Sequence, residues 1–274
     1  MFSAAKKVYL GTRKRHDQLW NTYVMRPLAS LVVALLAPTP FHPNQITLLS
    51  LFLFVIAAIV LLLVPGQRGA WIAIFIVETS YLFDCVDGML ARHKNLASKQ
   101  GHLFDFFVDE IKATMLAGAL GIYLYQSGGI GLDGAHWAPF DQRFLMAGIA
   151  AVAIVASGIS LTNFVRRPEI SGRETSVAAF YEVLPAAQAR SIGAWIALQI
   201  FTFLRFLNHY PSHIWIFALL GRLDIFFWMY SILNLLYLGR GWLGLILRFG
   251  RFEAPKSPSS DSSPASGASS EGKA

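Results

Sequence analysis

Apolar and polar positions divide the chain into long blocks. Residues 1–20 are polar and basic, with Lys6, Lys7, Arg13, Lys14 and Arg15. Residues 21–37 are apolar but contain Arg26 and Pro27, and Pro38, Pro40 and Pro43 follow closely. So short and broken a run predicts a helix lying in the membrane interface, not a span. Six longer runs come next, at about 45–64, 70–91, 101–125, 143–165, 191–207 and 213–238. The first ends at Pro65-Gly66 and the fifth before Asn208-His209-Tyr210-Pro211. Residues 239–252 read as a short basic amphipathic segment. The Ser/Pro/Gly-rich stretch from Glu253 predicts disorder.

The pattern predicts an all-α integral membrane protein with six transmembrane helices and an N-terminal interfacial helix. Its expected organisation is a basic segment with the interfacial helix over 1–44, a six-helix membrane domain over 45–240, and a basic segment with a disordered tail over 241–274. Composition agrees. The chain is 55% hydrophobic and 14% charged, whereas soluble domains carry about 25% charged residues. Its 274 residues leave no room for a second large domain.

Charge then sets the orientation. Arg92, Lys94 and Lys99 fall in one expected loop, Arg166, Arg167, Arg173 and Arg190 in another, and Arg240, Arg248, Arg251 and Lys256 after the last span. The alternate loops hold little beyond Arg68 and Arg143. By the positive-inside rule both termini are expected in the cytoplasm. The net charge of +7 is explained by this bias and by anionic lipid headgroups, not by nucleic acid. The single cysteine, Cys85, excludes an internal disulfide and a CxxC metal site. Met1 to Arg15 lacks the apolar core of a signal peptide, so no cleaved leader is expected.

The stretch "DCVDGMLARHKNLASKQGHLFDFFVD", Asp84 to Asp109, places four aspartates at the expected cytoplasmic ends of the second and third spans. Asp84, Gly88 and Ala91 share one helix face, flanked by Asp87 and Arg92. Gly101, Asp105 and Asp109 form one stripe on the next helix, and Lys112 continues it. If the linker from His93 to Gln100 reverses the chain, the two stripes meet. Four carboxylates at close range repel one another and need positive charge to stay ionised. Arg92 and Lys112 supply some of it. A pair of divalent cations supplies more, and an all-oxygen site suits Mg²⁺ or Mn²⁺. Gly88, Ala91 and Gly101 remove bulk where a phosphate-bearing ligand would approach. Two-metal phosphoryl transfer and cation transport both fit this geometry, and a structural ion-pair cluster is the plain alternative.

The stretch reads D-x2-D-G-x2-A-R-x8-G-x3-D-x3-D without a gap, and this resembles the signature of the CDP-alcohol phosphatidyltransferase family (class I). "HPNQIT", His42 to Thr47, is also similar to the family's Pro-Asn-x-x-Thr at the start of its first span. The resemblance implies a homodimer of six-span subunits with an interfacial N-terminal helix. It implies that Asp84, Asp87, Asp105 and Asp109 bind two divalent ions, with Asp109 as general base. It also implies that Gly88, Ala91, Arg92 and Gly101 line the site of the CDP moiety. The implied reaction is displacement of CMP from a CDP-linked lipid donor by a small alcohol acceptor, in phospholipid synthesis. CDP-diacylglycerol in a bacterial inner membrane, with the site facing the cytoplasm, is the expected setting. "LFD" at Leu103 to Asp105 resembles choline- and ethanolamine-phosphotransferases, with diacylglycerol as acceptor, and this is kept as an alternative. A divalent-cation carrier is the non-enzymatic one. Lys112, Arg166 and Arg167 are candidate acceptor-binding cations, set against ion pairing for the lysine and topological anchoring for the arginines. Glu78, Arg205, Arg222 and Asp224 are expected to pair between helices. The two-residue spacing of Arg222 and Asp224 predicts that they do not pair with each other.

Overall fold

The computed structural model describes residues 2–12, 17–167, 170 and 192–248. Most of them are helical. Helix α1 spans Phe2–Thr12, and a π-helical turn at Asn21–Met25 leads directly into α2, Arg26–Leu36. Long helices follow: α3 (Pro43–Leu63), α4 (Gln67–His93) and α5 (Lys99–Ser127). A two-stranded hairpin pairs β1 (Gly129–Ile130) with β2 (His136–Trp137), and α6 covers Gln142–Arg166. The remaining helices are α7 (Ile192–Asn208), the short α8 (Ile214–Leu219) and α9 (Leu223–Arg248).

Four of these helices are long and apolar enough to cross a membrane, at Pro43–Leu63, Gln67–His93, Gln142–Arg166 and Leu223–Leu247. Helix α5 has the length but carries the carboxylates. The π-turn and α2 form a shorter apolar helix, Asn21–Leu36. Helix α1 was not expected from the basic N-terminal sequence. It forms because Ala5, Val8 and Thr12 share a face that is buried in the packing with α2. The expected disordered tail lies outside the described residues, as do Arg13, Lys14, Arg15, Arg173, Arg190 and the side chain of Arg205.

Helix starts are specified locally. His42 Nδ1 accepts from the Asn44 N–H at 3.3 Å, and Gln45 Oε1 accepts from the His42 N–H at 2.9 Å, which starts α3. Ser98 caps α5 by accepting from the Gly101 N–H at 3.0 Å. Helix α3 is the centre of the packing. It contacts both α4 and α5, while α4 and α5 scarcely touch each other. Ser50 on α3 and Ser80 on α4 exchange hydrogen bonds to each other's carbonyl oxygen, both at 2.8 Å. The main core joins Phe54 and Leu61 of α3 to Leu116 and Leu120 of α5, Phe144 of α6, and Phe226 and Phe227 of α9. A second cluster seats Val8, Ala29 and Val33 on Val86, Met89 and Leu90 of α4.

The fifth and sixth apolar runs are divided differently from the expectation. The break at Asn208–His213 is not a surface turn. It lies inside the bundle, where the Tyr81 hydroxyl meets His209 Nε2 at 2.8 Å and the Tyr210 ring meets Phe54 edge-on at 6.2 Å. The true turn is Leu220–Arg222, at the opposite end of α4 from Asp84. There Trp71 Nε1 donates to the Ala218 carbonyl at 3.0 Å, Gln67 donates to the same oxygen, and Gly221 has φ +67°. A polar Asn-His-Tyr-Pro run resembles a loop in sequence, but here its polar groups find partners in the interior. Consequently α9 begins at Leu223 and runs on through the stretch expected to be a separate basic segment. Arg222 precedes that helix, so helix-face geometry does not apply to it. Its guanidinium grips Asp224, with Nε at 2.9 Å and Nη2 at 3.2 Å, contrary to the spacing argument.

A chain of hydrogen bonds ties the N-terminal segment to this break. Asn21 Oδ1 accepts from Tyr81 at 2.7 Å, and Asn21 donates to Asp17 at 3.0 Å. Asp17 also pairs with Arg26. Burial pushes the Asp17 carboxyl up, but Arg26 and the Asn21 and Gln18 donors outweigh it and hold it below the usual range.

Helices α5 and α6 pack backbone to backbone at Gly121 and Gly148. A Cβ on Gly121 would lie 2.5 Å from the Gly148 Cα, a backbone contact that cannot be relieved by a rotamer change. Gly121→Ala is expected to destabilise the protein by about 1–3 kcal/mol, read as a lowered Tm in detergent.

Candidate active site

The two polar stripes do come together, with α3 as the third wall. Each of Asp84, Asp105 and Asp109 offers a carboxylate oxygen, and the three oxygens all lie within 4.8 Å of one another. Asp84 comes from the C-terminal half of α4. Asp105 and Asp109 lie one turn apart near the start of α5, whose register is set by the Ser98 cap. Asp84 is mostly enclosed, with 14% of its side chain exposed, whereas Asp109 is 50% exposed. Asp109 is therefore the accessible member.

Asp87 stands beside this group and is held differently. It is buried, and its Oδ2 accepts from Thr47 Oγ1 of α3 at 2.5 Å. Lys112 is also buried. Its ammonium donates to Asp84 at 2.5 Å and to Ser50 Oγ at 2.8 Å, and lies 3.5 Å from Asp109. The expected pairing of Lys112 with an aspartate is thus present, and it reaches two of them.

The small residues of the pattern have distinct surroundings. The Arg92 guanidinium folds over Gly88, 3.6 Å from where a Cβ would sit, so that position has ordinary space. Gly101 is tighter: a Cβ there would lie 3.1 Å from Ser98 Oγ and 3.5 Å from Asn44 Oδ1. Ala91 accepts from the Leu96 N–H at 2.8 Å in the turn after α4. The His102 ring meets Phe106 edge-on at 4.7 Å.

The two arginines separate. The Arg166 guanidinium lies 5.4 Å from the centre of the Phe106 ring. It lines a cavity of about 850 Å³ between α5, α6 and α9, together with Glu110, Asn208, Asn234 and Arg240. Arg167 ends α6 and is exposed, and it is not among the residues lining that cavity. Glu78, six residues before Asp84, stands outside the carboxylate group.

Sequence reasoning assigned no role to Thr47, Ser50 or Asn44. A signal was present: Thr47 and Ser50 are the only polar side chains of α3 after Gln45, and they are one turn apart. Their partners are remote in sequence, so their function was not visible from spacing.

A family model for CDP-alcohol phosphatidyltransferases matches residues 41–246. The chain belongs to the CDP-alcohol phosphatidyltransferase family. The match starts one residue before His42 and extends almost to the end of α9, so the carboxylate site and the surrounding bundle fall within it. Comparison with curated proteins finds no match. This phosphatidyltransferase is an enzyme, a phosphotransferase for substituted phosphate groups acting in phospholipid synthesis at a membrane. That decides between a transferase and a cation carrier. The family depends on divalent cations, and Asp84, Asp105 and Asp109 form the cluster of potential ligands found among the described residues. An anionic, all-oxygen donor set fits a hard divalent ion.

Thr47 is the hydrogen-bond donor that Asp87 Oδ2 meets inside the bundle. Thr47→Val keeps the shape and removes that donor. It is expected to cost about 1–3 kcal/mol, seen as a lower Tm, whereas Thr47→Ser should stay close to the parent.

Proposed function

We propose that this phosphatidyltransferase moves a phosphatidyl group from CDP-diacylglycerol to a small alcohol acceptor and releases CMP. The observation that supports this most directly is the meeting of Asp84, Asp105 and Asp109 from two helices, with only Asp109 substantially open. Asp84, Asp87, Asp105 and Asp109 are assigned to hold two Mg²⁺ ions, Asp87 joining from its place beside the other three. When bound, the ions neutralise the diphosphate and stabilise the leaving CMP. Gly88, Ala91, Arg92 and Gly101 are assigned to the CDP moiety, and the Arg92 guanidinium lying over Gly88 offers a cation where a phosphate would approach.

Asp109 acts as general base. It takes the proton of the acceptor hydroxyl as that oxygen bonds to the phosphorus bearing the diacylglycerol ester. The bond from this phosphorus to the bridging oxygen breaks, and CMP leaves with the electron pair. Arg166, beside Glu110 in the neighbouring cavity, is the acceptor-binding candidate that this geometry favours over Arg167. Lys112, saturated by Asp84, Ser50 and Asp109, is better read as part of the carboxylate cluster than as an acceptor ligand.

We also assign six spans. Helix α5 and the interrupted pair α7–α8 would join the four apolar helices, with α2 lying in the interface. The positive-inside bias then puts the site on the cytoplasmic side, in a bacterial inner membrane, and a homodimer is the proposed assembly.

Purified protein with CDP-diacylglycerol and Mg²⁺ is expected to release CMP with one acceptor among glycerol 3-phosphate, serine, inositol, inositol phosphate and choline. Asp109→Asn should lower that rate by about 10²-fold or more while the protein remains folded. Retention of full activity would overturn the assignment of the base. Gly88→Ala is expected to melt as the parent does, because its methyl has room, yet to slow CMP release by about tenfold or more through loss of the diphosphate approach. Unimpaired turnover would remove Gly88 from the donor site.

A further inference from the structure

Lys112 lies one turn beyond Asp109 on α5 and is 1% exposed. An ammonium has three N–H donors and no acceptor. Asp84 at 2.5 Å, Ser50 at 2.8 Å and Asp109 at 3.5 Å account for all three. The neutral partner is itself fixed, because Ser50 Oγ donates to the Ser80 carbonyl and so joins α3 to α4. Lysine is normally a mobile, strongly hydrated cation. Here it is dehydrated and held at a defined point between two of the three carboxylates that would bind a metal ion.

That position has a consequence for metal binding. The ammonium engages Oδ1 of Asp84 and Oδ1 of Asp109, and it sets a positive charge within a few ångströms of any ion at the cluster. An arriving cation must displace those hydrogen bonds or bind beside them against charge repulsion. A diphosphate brings negative charge that relieves the repulsion.

We propose that Lys112 is a positioning residue that keeps the carboxylate cluster from binding divalent ions tightly on its own, so that ion and CDP-linked donor are bound together. It acts through Asp84 and Asp109 and does not touch the reacting atoms. This rests on the metal-binding reading above and adds an order to the loading of that site. Helix α3 has a part in it, since Ser50 holds the ammonium in place.

The test is Mn²⁺ binding to the full-length protein in detergent, followed by the electron paramagnetic resonance of free Mn²⁺, with and without CDP. The parent is expected to bind Mn²⁺ weakly alone and about tenfold or more tightly with CDP. Lys112→Gln should bind Mn²⁺ about tenfold or more tightly without CDP and lose most of the CDP effect. Lys112→Arg, which keeps the cation, should stay within about threefold of the parent. An unchanged or weaker Mn²⁺ affinity in Lys112→Gln overturns the proposal. If that variant is unfolded in metal-free buffer, Mn²⁺ should restore its thermal transition by replacing the lost charge, and failure to do so also overturns it. Absence of Mn²⁺ binding in both proteins, even with CDP, would sink the metal reading as well, which separates the two failures.

Discussion

Lys112 and Asp84 meet at 2.5 Å within a bundle whose surroundings are largely apolar, and the arrangement of three helices follows from that contact. Burying one ion without its partner is expensive, and removing one member of a buried pair typically costs about 3–5 kcal/mol. The lysine comes from α5, the aspartate from α4, and the hydroxyl that completes the set from α3. No two of these helices satisfy it without the third. This fits α3 packing closely on both others while α4 and α5 keep their backbones apart and meet through side chains. Carboxylates on α4 and α5 face each other beside α3, with oxygens of Asp84, Asp105 and Asp109 all within 4.8 Å of one another.

The interruption between α7 and α8 obeys the same rule of satisfaction. Backbone that leaves helical geometry at membrane depth is tolerated where it is covered by protein and its polar groups are paired. At Asn208, His209 and Ser212 the side chains meet that condition, whereas the buried His213 ring is packed among Phe206, Phe217 and Phe226 with both nitrogens unpartnered among the described residues. His209 bonds Tyr81 and Ser212, and Asn208 Oδ1 accepts from Asn234 of α9 at 3.3 Å. Tyr81 lies one turn from Asp84 on α4 and also bonds Asn21, so the N-terminal segment, the interrupted helix and the carboxylate helix are braced together.

The sequence was most legible where function is carried within one helix. Spacing of four between Asp105 and Asp109, and between Asp84 and Gly88, fixed which side chains share a face, and both stripes meet as that periodicity requires. It was least legible where the partner is remote. Nothing near Thr47 in the chain announces Asp87, forty residues on. The Arg222 and Asp224 pair was misjudged because a rule for helix interiors was applied across a helix start. The Asn208–Pro211 break was read as a surface turn because a polar run with proline has the same composition whether water or Tyr81 satisfies it. Helix α1 was overlooked because its buried face consists of small residues that contribute little to a hydropathy profile.

Length and apolarity disagree at α5, and the location of the disagreement is informative. Its 29 residues extend about 43 Å at 1.5 Å per residue, more than the roughly 30 Å hydrocarbon core requires. Its lack of apolarity comes from the segment that carries Asp105, Asp109, Glu110 and Lys112. Asp105 and Asp109 face Asp84, Lys112 is enclosed, and Glu110 accepts from Asn163 of α6 at 3.2 Å. The rest of the helix, from Ala113 onward, contributes Leu116, Leu120 and Leu124 to the main core. The charges that lower the apolarity of α5 therefore face other protein groups, although Asp109 keeps half of its side chain open. A hydropathy criterion treats each helix as if it stood alone. It scores low a helix that relies on its neighbours to solvate its polar face, as α5 does where Lys112 meets Asp84 of α4 and Ser50 of α3.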